Sequence, residues 1–326
     1  MRAAWYCSNG KAQDVLQVGE LPVPDPGPGE VRVKVAVSGI NPSDVKSRGG
    51  SRPVTSDRVV PHSDGAGVID KVGSGVAPSR IGERVWIWNG QWQRPMGTAA
   101  EYIALPQEHA VRLPDTADFE AGACLGIPAL TASHAVRLLG DIAGKSVLIV
   151  GASSAVGYYA AQIARLQGAH VIGTVGSAQK AALAEQIGVA HTINYKTEPV
   201  GERLKELTAN RGVDAIVDMD FSTTAPLVSG GALAPHGTVA CYGSNARGEV
   251  PINFGMWLPR SLNLHFFLVY DLLPDDRTRA MDHLARLLDA GSLLHKIGQR
   301  FALEDIIAAH ETVESGKVLG NVVLTI

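Results

Sequence analysis

The sequence predicts an α/β protein made of a β-rich region and a doubly wound parallel-sheet domain. Three observations predict this. The chain has 326 residues, a length that suits two domains better than one. Up to residue 110 it is dense in Gly, Pro and β-branched residues. From Lys145 onward, apolar strand-length runs alternate with helix-length segments, the pattern of a parallel sheet with crossover helices.

Taken in order, the elements follow from local chemistry. Val31-Arg32-Val33-Lys34-Val35-Ala36-Val37 alternates as a half-buried strand does. The preceding segment 21–30 holds four prolines and cannot be helix, because proline lacks the amide donor and fixes φ, so it reads as a connector between strands. Segment 146–150 reads as a buried strand, 157–167 as an amphipathic helix, 170–174 as a strand and 178–187 as a helix. Further strands are expected at 215–218 and 238–242, then a helix at 277–290 and a closing strand at 321–326. No internal repeat or low-complexity tract interrupts this order.

Composition narrows the function classes. Apolar residues at 45% and charged residues at 19% are ordinary for a folded protein with a buried core. The net charge is −3 and the basic residues are scattered, so the electrostatic footprint of a nucleic-acid binder is missing. No apolar run reaches the roughly 18 residues of a membrane span, and the first residues lead into a strand-like segment, so a cytoplasmic address is the expectation. Cys7, Cys124 and Cys241 are too dispersed for a disulfide framework or a metal knuckle and read as small buried residues.

The chemistry concentrates at Gly151-Ala152-Ser153-Ser154-Ala155-Val156-Gly157. A buried strand precedes this turn and an amphipathic helix follows, which is the setting of a pyrophosphate site: free amides and the helix dipole favour an anion there. The three template glycine positions hold Ala152, Ser154 and Gly157, and Ser154 places a Cβ where the backbone should approach the phosphates. A tight turn without ligand is the competing reading. After the next strand, Gly173-Thr174-Val175-Gly176-Ser177 lacks the carboxylate that would bind a ribose 2′-hydroxyl. Ser177 and Lys180 instead leave donors and a positive charge for a 2′-phosphate, which points to NADPH, with Lys180 as a plain solvated residue the alternative.

Several motifs together resemble the medium-chain dehydrogenase/reductases, in particular the zinc-free, zeta-crystallin-like quinone oxidoreductase family. They are Gly39-Ile40-Asn41-Pro42-Ser43-Asp44, Ser63-Asp64-Gly65-Ala66-Gly67-Val68-Ile69, Lys71-Val72-Gly73-Ser74-Gly75-Val76, Gly82-Glu83-Arg84-Val85, Gly126-Ile127-Pro128-Ala129-Leu130-Thr131-Ala132, the Gly173 segment with Lys180, and Ile193-Asn194-Tyr195. The resemblance covers nearly the whole chain. It implies a GroES-like β-rich catalytic domain at 1–124 plus 268–326 and a Rossmann-type domain at 125–267. Positions that carry zinc ligands in metal-dependent relatives match Asn41, Ser63 and Ile127, poor ligands all, and the cysteine-rich lobe of those enzymes has no counterpart between Trp86 and Tyr102. His62, next to a lost ligand position, reads as a hydrogen-bonded structural residue.

Without a Lewis acid, the implied reaction is NADPH-dependent hydride transfer to a quinone, or alternatively to an enone or other activated alkene. A nucleotide-binding protein with little catalysis is the reading from another class. Asn41 is the candidate donor to the oxygen where charge develops, alongside a turn role before Pro42. Lys46, where relatives often carry Tyr, either stabilises an enolate, attracts an acidic substrate or points to water. Trp86, Trp88 and Trp92 form either an aromatic wall or core packing.

By motif, the resemblance assigns Asn41, Thr131, Phe267, Leu268, Val269 and Asn321 to the nicotinamide side. Ser153, Ser154, Ala155 and Val156 fall at the phosphates, Ser177, Lys180 and Tyr195 at the adenosine end, and Tyr242, Gly243 and Ser244 follow a strand that approaches the cofactor. Segment 262–268 reads as a sheet edge, which in such a family suggests a homodimer.

Overall fold

In the computed structural model, which describes residues 1–246 and 248–326, the chain divides into two units: Met1–Pro128 with Leu287–Ile326, and Ala129–Arg286. The sequence sets the first boundary four residues earlier, at 124/125, and the second about one helix earlier, at 267/268. The chain stays with the second unit longer because the helix Pro274–Asp289 is held there: Ser133 Oγ donates to Ala280 O at 2.9 Å and Arg137 pairs with Asp276 at 3.2 Å.

The first unit is built on the long strand Glu30–Ile40, in which Val31, Val33, Val35 and Val37 alternate into the core. This strand pairs antiparallel with Asp64–Val72, Tyr102–Pro106 and Asn321–Thr325, and the last pairs in parallel with Ile297–Ala302. Arg84–Ile87 and Ala110–Arg112 extend the sheet beyond Asp64–Val72. Gly67 is required in the pairing of Glu30–Ile40 with Asp64–Val72, because a Cβ there would lie 2.0 Å from Lys34 O. Within this unit the C-terminal segment therefore completes the sheet that the N-terminal strands begin.

A buried polar chain runs through the same unit, and its direction can be deduced. Thr98 Oγ1 donates to Asp64 O. With that proton committed, Ser38 Oγ donates to Thr98 Oγ1 at 2.7 Å, and His62 Nδ1 donates to Ser38 Oγ at 2.9 Å. His62 is then a neutral acceptor at Nε2, taking the proton of His310 Nε2 at 2.9 Å, and His310 Nδ1 accepts from Arg48 Nε at 3.4 Å. Arg48 also donates to Gly10 O and pairs with Glu314. Burial, then the neighbouring His310, holds the His62 pKa well below its ordinary value, and burial, then Arg48, lowers that of His310 to about 3. The reading of His62 as a hydrogen-bonded residue agrees with this arrangement, in which it sits at φ +77°, a conformation uncommon for a side-chain-bearing residue.

The second unit is a six-stranded, all-parallel sheet. From edge to edge its strands are His191–Asn194, His170–Val175, Ser146–Ile149, Val213–Asp218, Leu233–Cys241 and Asn263–Phe266. Numbered within the unit, that order is 3-2-1-4-5-6, which reverses between Ser146–Ile149 and Val213–Asp218 and so opens a crevice at their carboxyl ends. Val147, Leu148, Ile149, Ile216 and Val217 are fully buried, as expected of central strands covered on both faces. Asn263–Phe266 is an edge strand, and Phe266 is 62% exposed. Cys124 and Cys241 are buried as expected. Cys7 is exposed instead, lying in the bend just beyond the strand Arg2–Trp5. Among the described residues no helix is long and apolar enough to cross a membrane.

Replacing His310 with Phe should leave His62 Nε2 and Arg48 Nε without their partner and cost about 2 to 4 kcal/mol of stability. Urea unfolding measures this. A change below about 0.5 kcal/mol would mean the chain contributes nothing to the fold.

Candidate functional site

In the second unit, the loops that leave the carboxyl ends of the strands carry most of the expected residues. Ser146–Ile149 ends in a turn whose left-handed residue is Gly151, at φ +72°. Gly151 N donates to Thr174 Oγ1 at 2.9 Å and Ala152 N to Thr174 O at 3.0 Å, which ties the turn to the neighbouring strand. The helix Ala155–Leu166 follows, two residues earlier than its sequence pattern indicates.

Ser154 corrects the reading of the glycine template. It is the N-cap of this helix, in extended conformation, and its hydroxyl accepts from Gly157 N at 3.0 Å. The close approach falls at Gly157, where a Cβ would lie 2.1 Å from Gly151 O, and at Gly173, where it would lie 2.5 Å from the Ala152 Cβ. With Gly157 N capped, the amides of Ala155 and Val156 in the first turn have no partner within the helix and are open to an anion. Ser153 is buried beside them.

At the next strand, Ser177 caps the helix Ala178–Gln186 by accepting from Lys180 N at 3.3 Å, and its own hydroxyl proton remains available to donate. Tyr195 is half exposed and lies over Gly176, where a Cβ would meet its hydroxyl at 2.6 Å. Ser177, Lys180 and Tyr195 thus share one end of the sheet, as the sequence indicates. Tyr242 N donates to Asp218 O, Gly243 O accepts from Phe221 N, and Phe267 N donates to Cys241 O. The Phe267 ring stands edge-on to His134 at 4.7 Å and lies 6.2 Å from Tyr242. Beyond it, Leu268 is 47% exposed and Val269 is buried.

Thr131 is buried on the helix Leu130–Leu138, which packs on Ala155–Leu166 and on the strand Leu233–Cys241. Thr131 Oγ1 and Ser244 Oγ are buried without a hydrogen-bond partner among the described residues. Buried hydroxyls are rarely left so, and a bound ligand would satisfy them. Together with open helix amides and glycines that allow no Cβ, these hydroxyls fit a dinucleotide.

Sequence reasoning missed the loop after Val213–Asp218. Met219 lies over Gly151, whose added Cβ would meet its sulfur at 2.4 Å. Asp220 holds the loop of Tyr242 and Ser244 by accepting from Asn245 N at 2.8 Å and Asn245 Nδ2 at 2.7 Å. Asp218 is fully buried, accepts at Oδ1 from Thr224 and Asp220 N, and has its pKa pushed up to about 6 by burial. The available signal was position alone: these residues end the strand at the switch point.

The first unit gathers a different cluster. Asn41 is buried at the N-terminus of the short helix Pro42–Lys46, where its amide N–H donates to Asp44 Oδ2 at 2.7 Å. Its Nδ2 donates to Asp64 Oδ2 at 2.9 Å, and the same oxygen accepts from Ile127 N at 3.1 Å. Asn41 and Ile127, two positions that match zinc ligands elsewhere, are thereby organised around a carboxyl group. Among the described residues no three His, Cys, Asp or Glu side chains gather in a metal-binding group. Burial, then the nearby Asp44, pushes the Asp64 pKa well above its ordinary value; Asp64 Oδ1, the oxygen free to carry the proton, has no partner among the described residues.

Lys46 is exposed at the end of the same helix. Asn321 lies in this unit, where Nδ2 donates to Lys296 O at 3.2 Å. The three tryptophans separate: Trp86 and Trp88 are core residues, whereas Trp92 is half-buried beneath the Arg52 guanidinium at 4.2 Å.

The Asp44 pKa is pushed up to about 7 by burial. Between the ordinary carboxylate range and that value the folded chain binds more protons than the unfolded one, so this group makes stability fall as pH rises. Asp44→Asn should therefore gain stability relative to the native chain between pH 4 and pH 7.5, on the order of 2 to 4 kcal/mol. Denaturant titrations at the two pH values test this; a difference that does not move with pH would clear Asp44 of the effect.

Comparison with known proteins agrees with this division. Residues 27–115 match the family model of the alcohol dehydrogenase GroES-like domain, and residues 155–286 match that of the zinc-binding dehydrogenases. The chain is 33% identical to a quinone oxidoreductase of Pseudomonas aeruginosa, over 95% of each sequence. A 2-haloacrylate reductase from a Burkholderia species is 28% identical, over 94% of this chain and 93% of the relative. Among solved structures, the Escherichia coli quinone oxidoreductase complexed with NADPH superposes with a TM-score of 0.89 at 28% identity, over the full length of both chains.

Proposed function

Because the chain belongs to the quinone oxidoreductase family of the medium-chain dehydrogenase/reductases, we propose that it is an NADPH-dependent reductase of quinones. The observation that carries the reading is the buried Asn41, whose Nδ2 is held by Asp64 Oδ2 at 2.9 Å. When bound, NADPH supplies a hydride, two electrons with one proton, from C4 of its nicotinamide; one further proton from solvent completes the hydroquinone.

The second unit fits the cofactor through the amides of Ala155 and Val156, the hydroxyls of Ser177, Thr131 and Ser244, and the Lys180 charge. In the first unit the role of Asn41 is to donate to the acceptor oxygen as it gains negative charge. Asp64 fixes that donor beforehand, so no reorganisation is needed when the charge appears. Reduction of an activated alkene is the second reading. It is favoured by the likeness to the 2-haloacrylate reductase, since a conjugated carbonyl presents the same oxygen to Asn41.

Asn41→Ala should lower kcat for a quinone such as 1,4-naphthoquinone by about 100-fold to 1000-fold while leaving NADPH binding intact. Loss of NADPH absorbance reads the first and fluorescence titration the second. Unchanged turnover would remove Asn41 from the reaction.

We also infer a homodimer joined at the edge strand Asn263–Phe266, because an exposed edge bearing Phe266 invites pairing. Sedimentation should then give twice the 34.3 kDa of one chain, and Phe266→Lys should return it to one. A native chain that sediments at its single mass would end this inference.

A further inference from the structure

Thr131 and Ser244 are not the only hydroxyls of the second unit left without a partner among the described residues. Tyr242 Oη is buried in the same condition. A phenol taken out of water normally finds an acceptor, because an unmade hydrogen bond costs the desolvation of the group. The residue is nonetheless held in place. Tyr242 N donates to Asp218 O at 3.0 Å, and its ring lies 6.2 Å from that of Phe267, whose amide donates to Cys241 O at 3.1 Å. The hydroxyl is thus fixed from its backbone outward.

Its surroundings identify the acceptor. Burial, then the nearby Asp218, holds the Tyr242 pKa well above the ordinary phenol value, with a smaller opposing effect from Ser154, which faces it. The group therefore keeps its proton and acts as a donor. Asp218 does not take that hydrogen bond: Oδ1 is engaged by Thr224 and Asp220 N, and Oδ2 is itself without a partner among the described residues. Ser154 does not take it either. Its hydroxyl caps the helix Ala155–Leu166 by accepting from Gly157 N, and Tyr242 faces it without closing a hydrogen bond. A phenol donor therefore stands beside the N-cap of a 12-residue helix whose first-turn amides, those of Ala155 and Val156, are open to an anion.

Topology decides which anionic oxygen. Ser177, Lys180 and Tyr195 follow the strands His170–Val175 and His191–Asn194 on one side of the switch point, whereas Tyr242 follows Leu233–Cys241 on the other. A dinucleotide with its adenosine at the first group crosses the switch point at its diphosphate, so the second phosphate belongs to the side of Tyr242.

We propose that the Tyr242 hydroxyl binds the diphosphate of the dinucleotide, donating to the phosphate farther from the adenosine. The assignment rests on the cofactor reading above. It gives a side chain part of a task that the helix amides would otherwise perform alone.

Tyr242→Phe removes one oxygen and keeps the ring, so binding to the full-length protein tests the assignment. Three ligands are compared, NADPH by fluorescence titration and the other two by displacing it. NADPH and 2′-phospho-ADP-ribose both carry the diphosphate, the second without nicotinamide, whereas 2′,5′-ADP keeps only the adenosine-side phosphate of the pair. The variant should bind NADPH and 2′-phospho-ADP-ribose about tenfold more weakly, as expected of a lost hydrogen bond to a charged group, and 2′,5′-ADP within about twofold of the native chain. Its urea midpoint without ligand should not fall, because the hydroxyl bonds nothing within the folded chain.

Unchanged NADPH binding overturns the proposal. So does equal weakening of all three ligands, or weakening of NADPH alone, which would move the hydroxyl to the nicotinamide. A lower urea midpoint would give the phenol a partner in the chain and overturn it too. If the native chain binds none of the three, the cofactor reading falls and takes the assignment with it. If NADPH binds through Tyr242 and no quinone is reduced, the reductase reading falls and the assignment stands.

Discussion

The organisation of the first unit depends on one buried residue, Asp64. Its carbonyl oxygen terminates the hydrogen-bond chain that begins at Arg48 and passes through two histidines. Its side chain holds Asn41 and the amide of Ile127. Its backbone pairs with Gly39 in the central sheet. Space around it is limited too: a Cβ on Gly126 would lie 2.5 Å from Asp64 Oδ1, and one on Gly39 would lie 1.9 Å from Ala123 O. The direction of the polar chain follows from its two ends, a guanidinium that only donates and a carbonyl that only accepts. Any proton arriving at a histidine would reverse a link and leave a buried donor facing a donor. The chain therefore carries order and not protons, since a backbone carbonyl has none to pass on.

Much of this architecture was legible in the sequence, and the reason differs between units. In the second unit the central strands are apolar runs and several crossovers are amphipathic helices, so local pattern specifies most of the elements and the parallel topology specifies where loops collect. Ser177 and Lys180 could be read from the segment after Gly173, whereas Tyr195 joined them only through the family resemblance. At Ser154 the spacing template gives way to geometry: positive φ falls at Gly151 and close approach at Gly157. A serine fits between them because an N-cap needs an extended backbone and a hydroxyl.

In the first unit the decisive contacts are distant in sequence. His62 and His310 are separated by 248 residues, and nothing local in the helix Ile306–Glu314 marks His310 as the partner of a buried imidazole. Arg48 was invisible for the same reason. The tryptophan segment shows the limit from another side. Trp86 and Trp88 are buried with Ile87 in and just beyond the strand Arg84–Ile87, but Trp92 meets Arg52, forty residues away, and no periodicity marks that contact.

A net charge of −3 suggests a protein indifferent to anions, yet that count treats every carboxyl group as ionised. Burial works against this where chemistry is concentrated. Asp44 and Asp64 in the first unit and Asp218 in the second all have pKa values raised by desolvation, and Asp64 by Asp44 besides. A carboxyl that keeps its proton can still hold its neighbours by hydrogen bonds while exerting little repulsion on a phosphate, an enolate or a carboxylate. The arginines meet the opposite fate, because a guanidinium stays charged where a carboxyl does not.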